Sequence, residues 1–384
     1  MTSSTPGASG TSPAEALASI ERDLRVSWAP PADGSPPKTR VCTMNLVVVA
    51  ATPELADRYL PVADEVAKSA LARAIVVALA PDDPQSELTG EGTAICGVDD
   101  GPDTCIERVR IYAKGNMCAR VASTVEALLV AEIPTTLVWL GKVYVDDPVF
   151  VSLAKVAQQI VTDSEYTSVT NLMHLARWSR GSPDRPKIAD LAWTRLAGWQ
   201  DLVARFFDDP KLSPFAKKVT KLTLRQASEK GARLGSEGSL LLGWLGTRLD
   251  WKASRLGGAL RFRRPDGGNI GVDFGVTPCP AGVAPATLSS VTVVAEHEGQ
   301  TLVGSLERDL GSGLDDATKD ADVVLWKLTV GDGPTTTQRV RFGANKGAKW
   351  LERTLRRAAG DTALMESAQF AEDAVEDGIL CNGS

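Results

Sequence analysis

The sequence predicts an α/β domain with a mostly parallel mixed sheet, followed by an α+β domain with an antiparallel sheet. Three observations predict it. From residue 39 to 209, unbroken apolar runs such as RVCTMNLVVVAA and RAIVVALA alternate with amphipathic stretches such as PELADRYLPVADEVAKSA, the pattern of strands covered on both faces by helices. From 210 to 360, six short alternating segments follow in series with Gly, Asp and Pro between them, as antiparallel strands do. A chain of 384 residues is also long enough for two domains, each with its own core.

Residues 1–38 form a lead-in. The first dozen are mostly Ser, Thr, Gly and Pro with little to bury, so a disordered tail is expected. Leu17, Ile20, Leu24 and Trp28 then recur at helical spacing until PPADGSPPK breaks the pattern. In the first domain, RVCTMNLVVVAA is a buried strand, Thr52 and Pro53 open a helix, and RAIVVALA is a second buried strand. GTAIC and CIERVRIYA read as strands around the turn-rich GVDDGPDT. Cys96 and Cys105 could therefore face each other across a hairpin, although buried small residues also suit these positions and are the preferred reading. A helix from about Met117 to Ala131, the strand TTLVWL, a helix after Asp147 and Pro148, the strand QQIVTDS and a helix from about Thr167 to Trp178 continue the alternation. The domain closes on DLAWTRLAGWQDLVARFFDD, read as a helix starting at Asp190. Ala192, Leu196, Trp199, Leu202, Val203 and Phe206 share one face of it, and Asp201 and Arg205 are spaced for an ion pair.

The second domain begins with the strand KVTKLTLRQ and the helix SEGSLLLGWLGTRLDWK. ALRFRRP, NIGVDFGV, SSVTVVAEH, QTLVGSLE, ADVVLWKLTV and TTQRVRF supply its later strands. A helix around AKWLERTLRRAA and an acidic segment, residues 361–384, end the sequence.

Composition and motifs exclude several functions. A net charge of −6 provides no basic field for phosphate backbones, so no nucleic-acid partner is expected. The start lacks the basic and apolar regions of a secretory signal, and no apolar run reaches bilayer length, so the expected location is the cytoplasm, without membrane association. Six scattered cysteines with no CxxC pair and two histidines, His174 and His297, offer no zinc spacing. No GxxxxGK[ST] cradle, no GxGxxG after a strand, no nucleophile elbow and no HExxH helix occurs, and GGNIG at 267–271 reads as a hairpin turn. The acidic pairs Asp82/Asp83, Asp146/Asp147 and Asp208/Asp209 stand near prolines, where turn and capping chemistry uses them. No catalytic residue, metal or cofactor is therefore expected.

Taken together, RVCTMNLVVVA, RAIVVALAP, VEALLVAEIPTTLVWLG, IVTDSEY, DLAWTRLAGWQDLVARFFD and LLLGWLGTRLDWK resemble the OpcA family, the glucose-6-phosphate dehydrogenase assembly proteins, from about residue 14 to 360. The most specific part is Asp-Leu-x-Trp-x-Arg followed by a further Trp, carried here by Asp190, Leu191, Trp193, Arg195 and Trp199. At one point the sequence departs from the family pattern, with Leu140 where a second tryptophan is expected beside Trp139. The resemblance implies a non-catalytic partner that binds and activates glucose-6-phosphate dehydrogenase, with a redox link in some lineages. Asp190, Trp193, Arg195 and Trp199 become partner-binding or signature candidates, the aromatic and arginine side chains acting as hot spots if exposed. Cys96, Cys105 and Cys381 become redox candidates, the last beside the C-terminus. Two other readings stay open: a sugar-phosphate enzyme or sensor using an anion site at helix N-termini of the α/β domain, and a structural adaptor for another client.

Overall fold

Met44–Ala50 and Thr135–Leu140 are buried along almost every residue, as strands with helices on both faces must be. The computed structural model describes residues 12–29, 38–98, 101–227, 234–256, 259–278, 287–308, 321–344, 347–357 and 360–376. Nearly all of the expected disordered tail, and Cys279 and Cys381, lie outside them. The chain folds as two units, residues 1–167, 174–190 and 347–359 in the first and 168–173, 191–346 and 360–384 in the second.

In the first unit, α1 (Pro13–Ser27) starts at a capping box in which the Ser12 hydroxyl and the Glu15 carboxylate each accept from the other's backbone N–H. Then come β1 (Thr39–Arg40), β2 (Met44–Ala50), α2 (Pro53–Ala70), β3 (Ala72–Ala80), β4 (Glu87–Val98) and β5 (Gly101–Lys114). A 3-10 turn over Gly115–Arg120 leads to α3 (Val121–Leu128), so the helix expected from Met117 is shorter and starts later. β6 (Thr135–Leu140), α4 (Pro148–Val156), β7 (Gln159–Thr162), α5 (Val169–Arg180) and β8 (Lys187–Asp190) follow.

The strands lie in the order β1-β5-β3-β2-β6-β7-β8, with every neighbouring pair parallel, and β4 is antiparallel on β5. Leaving aside the two-residue β1, this is the doubly wound order 3-2-1-4-5-6, whose direction of winding reverses between β2 and β6. The antiparallel pair surrounds the cysteines, as the sequence predicts, and Cys96 stands directly opposite Cys105 in a disulfide. A buried carboxylate ties the outer strands together. Glu107 on β5 accepts from the Trp28 indole at 2.7 Å and from Arg73 Nε at 2.7 Å, and pairs with Arg40 at 2.8 Å.

The second unit takes α6 (Leu191–Ala204), which begins one residue after Asp190 because Asp190 ends β8. β9 (Val219–Ala227), α7 (Ser236–Arg248), β10 (Lys252–Leu256), β11 (Ala259–Arg263), β12 (Asn269–Thr277), β13 (Leu288–His297), β14 (Gln300–Arg308), β15 (Ala321–Val330) and β16 (Thr336–Ala344) follow. α8 (Gly347–Arg356) returns to the first unit, and α9 (Thr362–Glu376), inside the acidic segment, belongs to the second. The second sheet runs β10-β11-β12-β9-β13-β14-β15-β16. It is antiparallel except at β12, which lies parallel to β9. The reason is the length of the connection: α7 and the β10–β11 hairpin carry the chain back to the starting end of β9, and a crossover of that kind permits parallel pairing.

α7 and α9 pack at a glycine. A Cβ at Gly243 would lie 1.9 Å from the Ser367 carbonyl oxygen, which is backbone and cannot swing aside. Gly243→Ala is therefore expected to cost about 1–3 kcal/mol in urea unfolding, the usual penalty of overpacking; unchanged stability would mean that the two helices are not in this contact.

Candidate functional site

Two places merit a functional reading, the carboxyl ends of the parallel strands and the signature on α6. In an open α/β sheet the ligand crevice lies outside the carboxyl ends of the strands at the winding reversal, here the ends of β2 and β6. A dinucleotide site there needs a glycine-rich turn and free backbone N–H groups at the following helix. Instead, β2 runs into Ala51, Thr52, Pro53 and Glu54. Thr52 caps α2 by accepting from the Leu55 N–H at 3.2 Å, and Pro53 in the first turn has no N–H to offer. Hydrogen bonds from its own backbone N–H and then from the Thr52 hydroxyl hold the Glu54 carboxyl below the usual range, so the protein's own carboxylate meets the helix N-terminus.

The crevice is also closed by backbone. Ala51 N–H donates to Leu140 O at 3.0 Å, the last bond of the parallel β2–β6 ladder. Gly141 follows with φ +127°, and a Cβ on it would fall 2.6 Å from the Ala51 Cβ. These residues do not fit a dinucleotide. What the loop after β6 does present is Tyr144, 53% exposed, with the Lys142 ammonium 4.9 Å from its ring centroid. Trp139 steadies this loop by donating its indole N–H to Lys142 O at 3.3 Å.

The signature residues are placed for architecture. Asp190, 1% exposed, accepts from the Ser164 N–H at 2.8 Å and the Ser164 hydroxyl at 3.1 Å, joining the end of β8 to the turn after β7. Trp193 is 5% exposed and donates its indole N–H to Asp361 at 2.9 Å; Asp361 in turn accepts from the Ala363 N–H where α9 begins. Arg195 pairs through Nε with Glu237 on α7 at 2.7 Å, and the other Glu237 oxygen accepts from the Leu288 N–H of β13 at 3.1 Å. Trp199 is 2% exposed, with the Arg308 guanidinium 5.7 Å from its ring centroid. Near the end of α6, Leu202 O accepts from the Trp326 indole at 3.1 Å. Arg205 lies over the Trp326 ring at 5.6 Å, so the expected pairing with Asp201 gives way to a cation–π contact. Exposure, the condition for a hot-spot role, is not met by either tryptophan.

The remaining candidates are dispersed. His174 is exposed, and His297 lies edge-on to Phe215 at 5.5 Å. Asp83, Asp147 and Asp209 accept from backbone N–H groups two residues on, which is turn and capping chemistry. Cys118 is a buried thiol whose pKa desolvation pushes up, and Cys42 is a half-buried one; both donate to backbone carbonyls. Among the described residues no group of three His, Cys, Asp or Glu is placed to hold a metal, and no helix is long and apolar enough to cross a membrane. Glu237, Asp361 and Tyr144 were not singled out from sequence. The first two are recognised by their distant partners, the third only by its exposure.

Comparison with known proteins matches residues 63–177 to the family described as glucose-6-phosphate dehydrogenase subunit N-terminal domain and residues 186–368 to its C-terminal domain counterpart. The chain belongs to the OpcA family. A relative from Nostoc punctiforme, provisionally named OxPP cycle protein OpcA, is 28% identical over 200 residues, 50% of this chain and 40% of its own length. One of the same name from Synechocystis sp. is 26% identical over 196 residues, covering 50% and 39%. The chain thus matches about two fifths of the length of these relatives. Among solved structures, biliverdin reductase in complex with biliverdin and NADP+ from Synechocystis sp. is similar at a TM-score of 0.44 and 8% identity over 87% of this chain and 98% of that one.

Two outcomes are expected at these places. NADPH and NADH fluorescence should show no saturable change with the protein down to affinities of about 1 mM, near 4 kcal/mol of binding; a hyperbolic titration would refute the closed crevice. Glu237→Ala should cost about 2 kcal/mol or more in chemical denaturation, because Arg195 and the Leu288 N–H both lose their acceptor.

Proposed function

We propose that this protein is a non-catalytic regulatory partner that binds glucose-6-phosphate dehydrogenase and activates it or favours its active assembly. The observation that carries the reading is the winding reversal of the first sheet, where Thr52, Pro53 and Glu54 stand in place of a glycine-rich turn and Gly141 packs against Ala51. A doubly wound frame persists while the groove that serves chemistry in such frames is occupied by the chain itself. Membership of the OpcA family supplies the partner. Activation then needs only differential affinity: a protein that binds the active form of the enzyme more tightly than the inactive or dissociated form shifts the population accordingly.

The buried signature fits this reading as the brace of the second unit, shaping surfaces that contact the enzyme without itself touching it. Tyr144 is the aromatic side chain best presented for contact in the first unit, and Tyr and Arg are residues on which interface energy concentrates. The redox link resides in Cys96–Cys105. A dithiol donor supplies two electrons and two protons, the sulfur–sulfur bond opens to two thiols, and the donor becomes a disulfide. That frees the two strands at their cysteine pair without unfolding the parallel sheet.

The test is a titration of the same organism's glucose-6-phosphate dehydrogenase with this protein under oxidising and reducing conditions, with particle size followed by light scattering. Saturable activation is expected, with a change in size or in substrate dependence. The double variant Cys96→Ser/Cys105→Ser should make the response insensitive to reductant. No binding and no effect under either condition would overturn the reading. Redox sensitivity that survives in the double variant would remove the disulfide from it.

A further inference from the structure

α8 carries its charge along one stripe. Lys349, Arg353, Arg356 and Arg357 are spaced four, three and one residues apart, which sets them on one side of a helix, and all four are exposed. The opposite side, Ala348, Leu351 and Thr354, is buried in the first unit, where α8 packs against α2 and Gly347 lies close to Val62. Four arginines elsewhere in this unit are committed to acids: Arg40 and Arg73 to Glu107, Arg108 to Asp64, Arg110 to Asp57. Lys349 reaches Glu352 at 3.4 Å and Arg353 lies 5.0 Å from the Trp350 ring centroid, but among the described residues neither Arg356 nor Arg357 has a carboxylate within ion-pair distance.

Helix stability accounts for part of this stripe. Cations in a last turn are favoured by the helix dipole, which covers Arg353 and Arg356. The same dipole disfavours Lys349 in the first turn, so it does not explain the stripe as a whole.

We infer that this stripe docks on a carboxylate-rich surface of a protein partner and, resting on the function proposed above, that the partner is glucose-6-phosphate dehydrogenase. Three of the four cations are arginines, whose planar forks bind carboxylates in pairs of hydrogen bonds. Half-buried Trp350 lies beside the stripe on the same short helix, supplying apolar contact that a protein surface uses and a phosphate chain does not. A net charge of −6 opposes the approach of extended polyanions such as nucleic acid or an anionic bilayer, whereas a stripe about 12 Å long, the rise from Lys349 to Arg357 just past the end of α8, matches a compact acidic patch.

The experiment measures affinity for the dehydrogenase at low and high salt, using the full chain, the double variant Arg353→Glu/Arg356→Glu and the charge-preserving Arg353→Lys/Arg356→Lys. The unaltered chain should bind more weakly as salt rises. Charge reversal should weaken binding about 10- to 100-fold and flatten the salt dependence, with circular dichroism unchanged and the melting temperature only slightly lowered by the reversed charges at the helix C-terminus, while the lysine variant keeps most of the affinity. Equal affinity of the reversed and unaltered chains would overturn the assignment while leaving the regulatory function standing. Absence of binding by the unaltered chain would overturn both. Reversal that abolishes retention on heparin or phosphatidylserine vesicles but spares the dehydrogenase would give the stripe to a polyanion and also overturn the inference.

Discussion

The backbone hydrogen bond from Ala51 to Leu140 is the last bond of the β2–β6 ladder, at the winding reversal of the first sheet. At a winding reversal the chains leaving the two central strands part, and the gap between them receives a ligand. Here residue 141 stays close to Ala51. With that bond in place, residue 141 lies against Ala51 and has no room for a side chain, while Thr52 is held where it caps α2. Pro53 and Glu54 then form the first turn of the helix. The frame of a nucleotide-binding sheet remains, with its anion-binding groups already engaged. Tyr144 and the α8 stripe lie apart from this crevice, on exposed surface.

The second unit is organised differently, around one helix. α6 sends Trp193 to the start of α9, Arg195 to α7 and through Glu237 to β13, and receives the Trp326 indole of β15 near its end. Polar side chains are used at these joints because a buried indole N–H or guanidinium requires an acceptor, and only a few backbone placements supply one. The contacts therefore fix angle and register as well as adding stability. Their partners elsewhere in the chain account for the specific run of residues on this helix.

Much of this was legible in the sequence wherever the determining contacts are local. Unbroken apolar runs disclosed β2, β3 and β6, and two strands around GVDDGPDT set Cys96 opposite Cys105. The stripe through Ala192, Leu196 and Trp199 disclosed that α6 packs into a core. What escaped depends on partners far along the chain. Asp361 stands 168 residues from Trp193 and Glu237 stands 42 from Arg195, and no periodicity links them. The parallel pairing of β12 with β9 escaped because alternation within a strand does not record its neighbour's direction. α9 was read only as an acidic segment since its buried side is built largely from Ala368, Ala371 and Ala374, which carry little hydrophobic signal and suit the close approach to Gly243.

The first unit is discontinuous in sequence: its last helix, α8, begins at residue 347, after the whole second sheet has been made. During synthesis the parallel sheet can assemble early, but the α2 surface that α8 covers stays bare until more than 150 further residues have left the ribosome, counting from Asp190 to Gly347. Such late, long-range closure slows folding and prolongs the exposure of apolar surface. It also means that a fragment ending near residue 209 lacks a piece of the unit it was meant to isolate. The two halves of this protein are thus separable in architecture and interdependent in biogenesis.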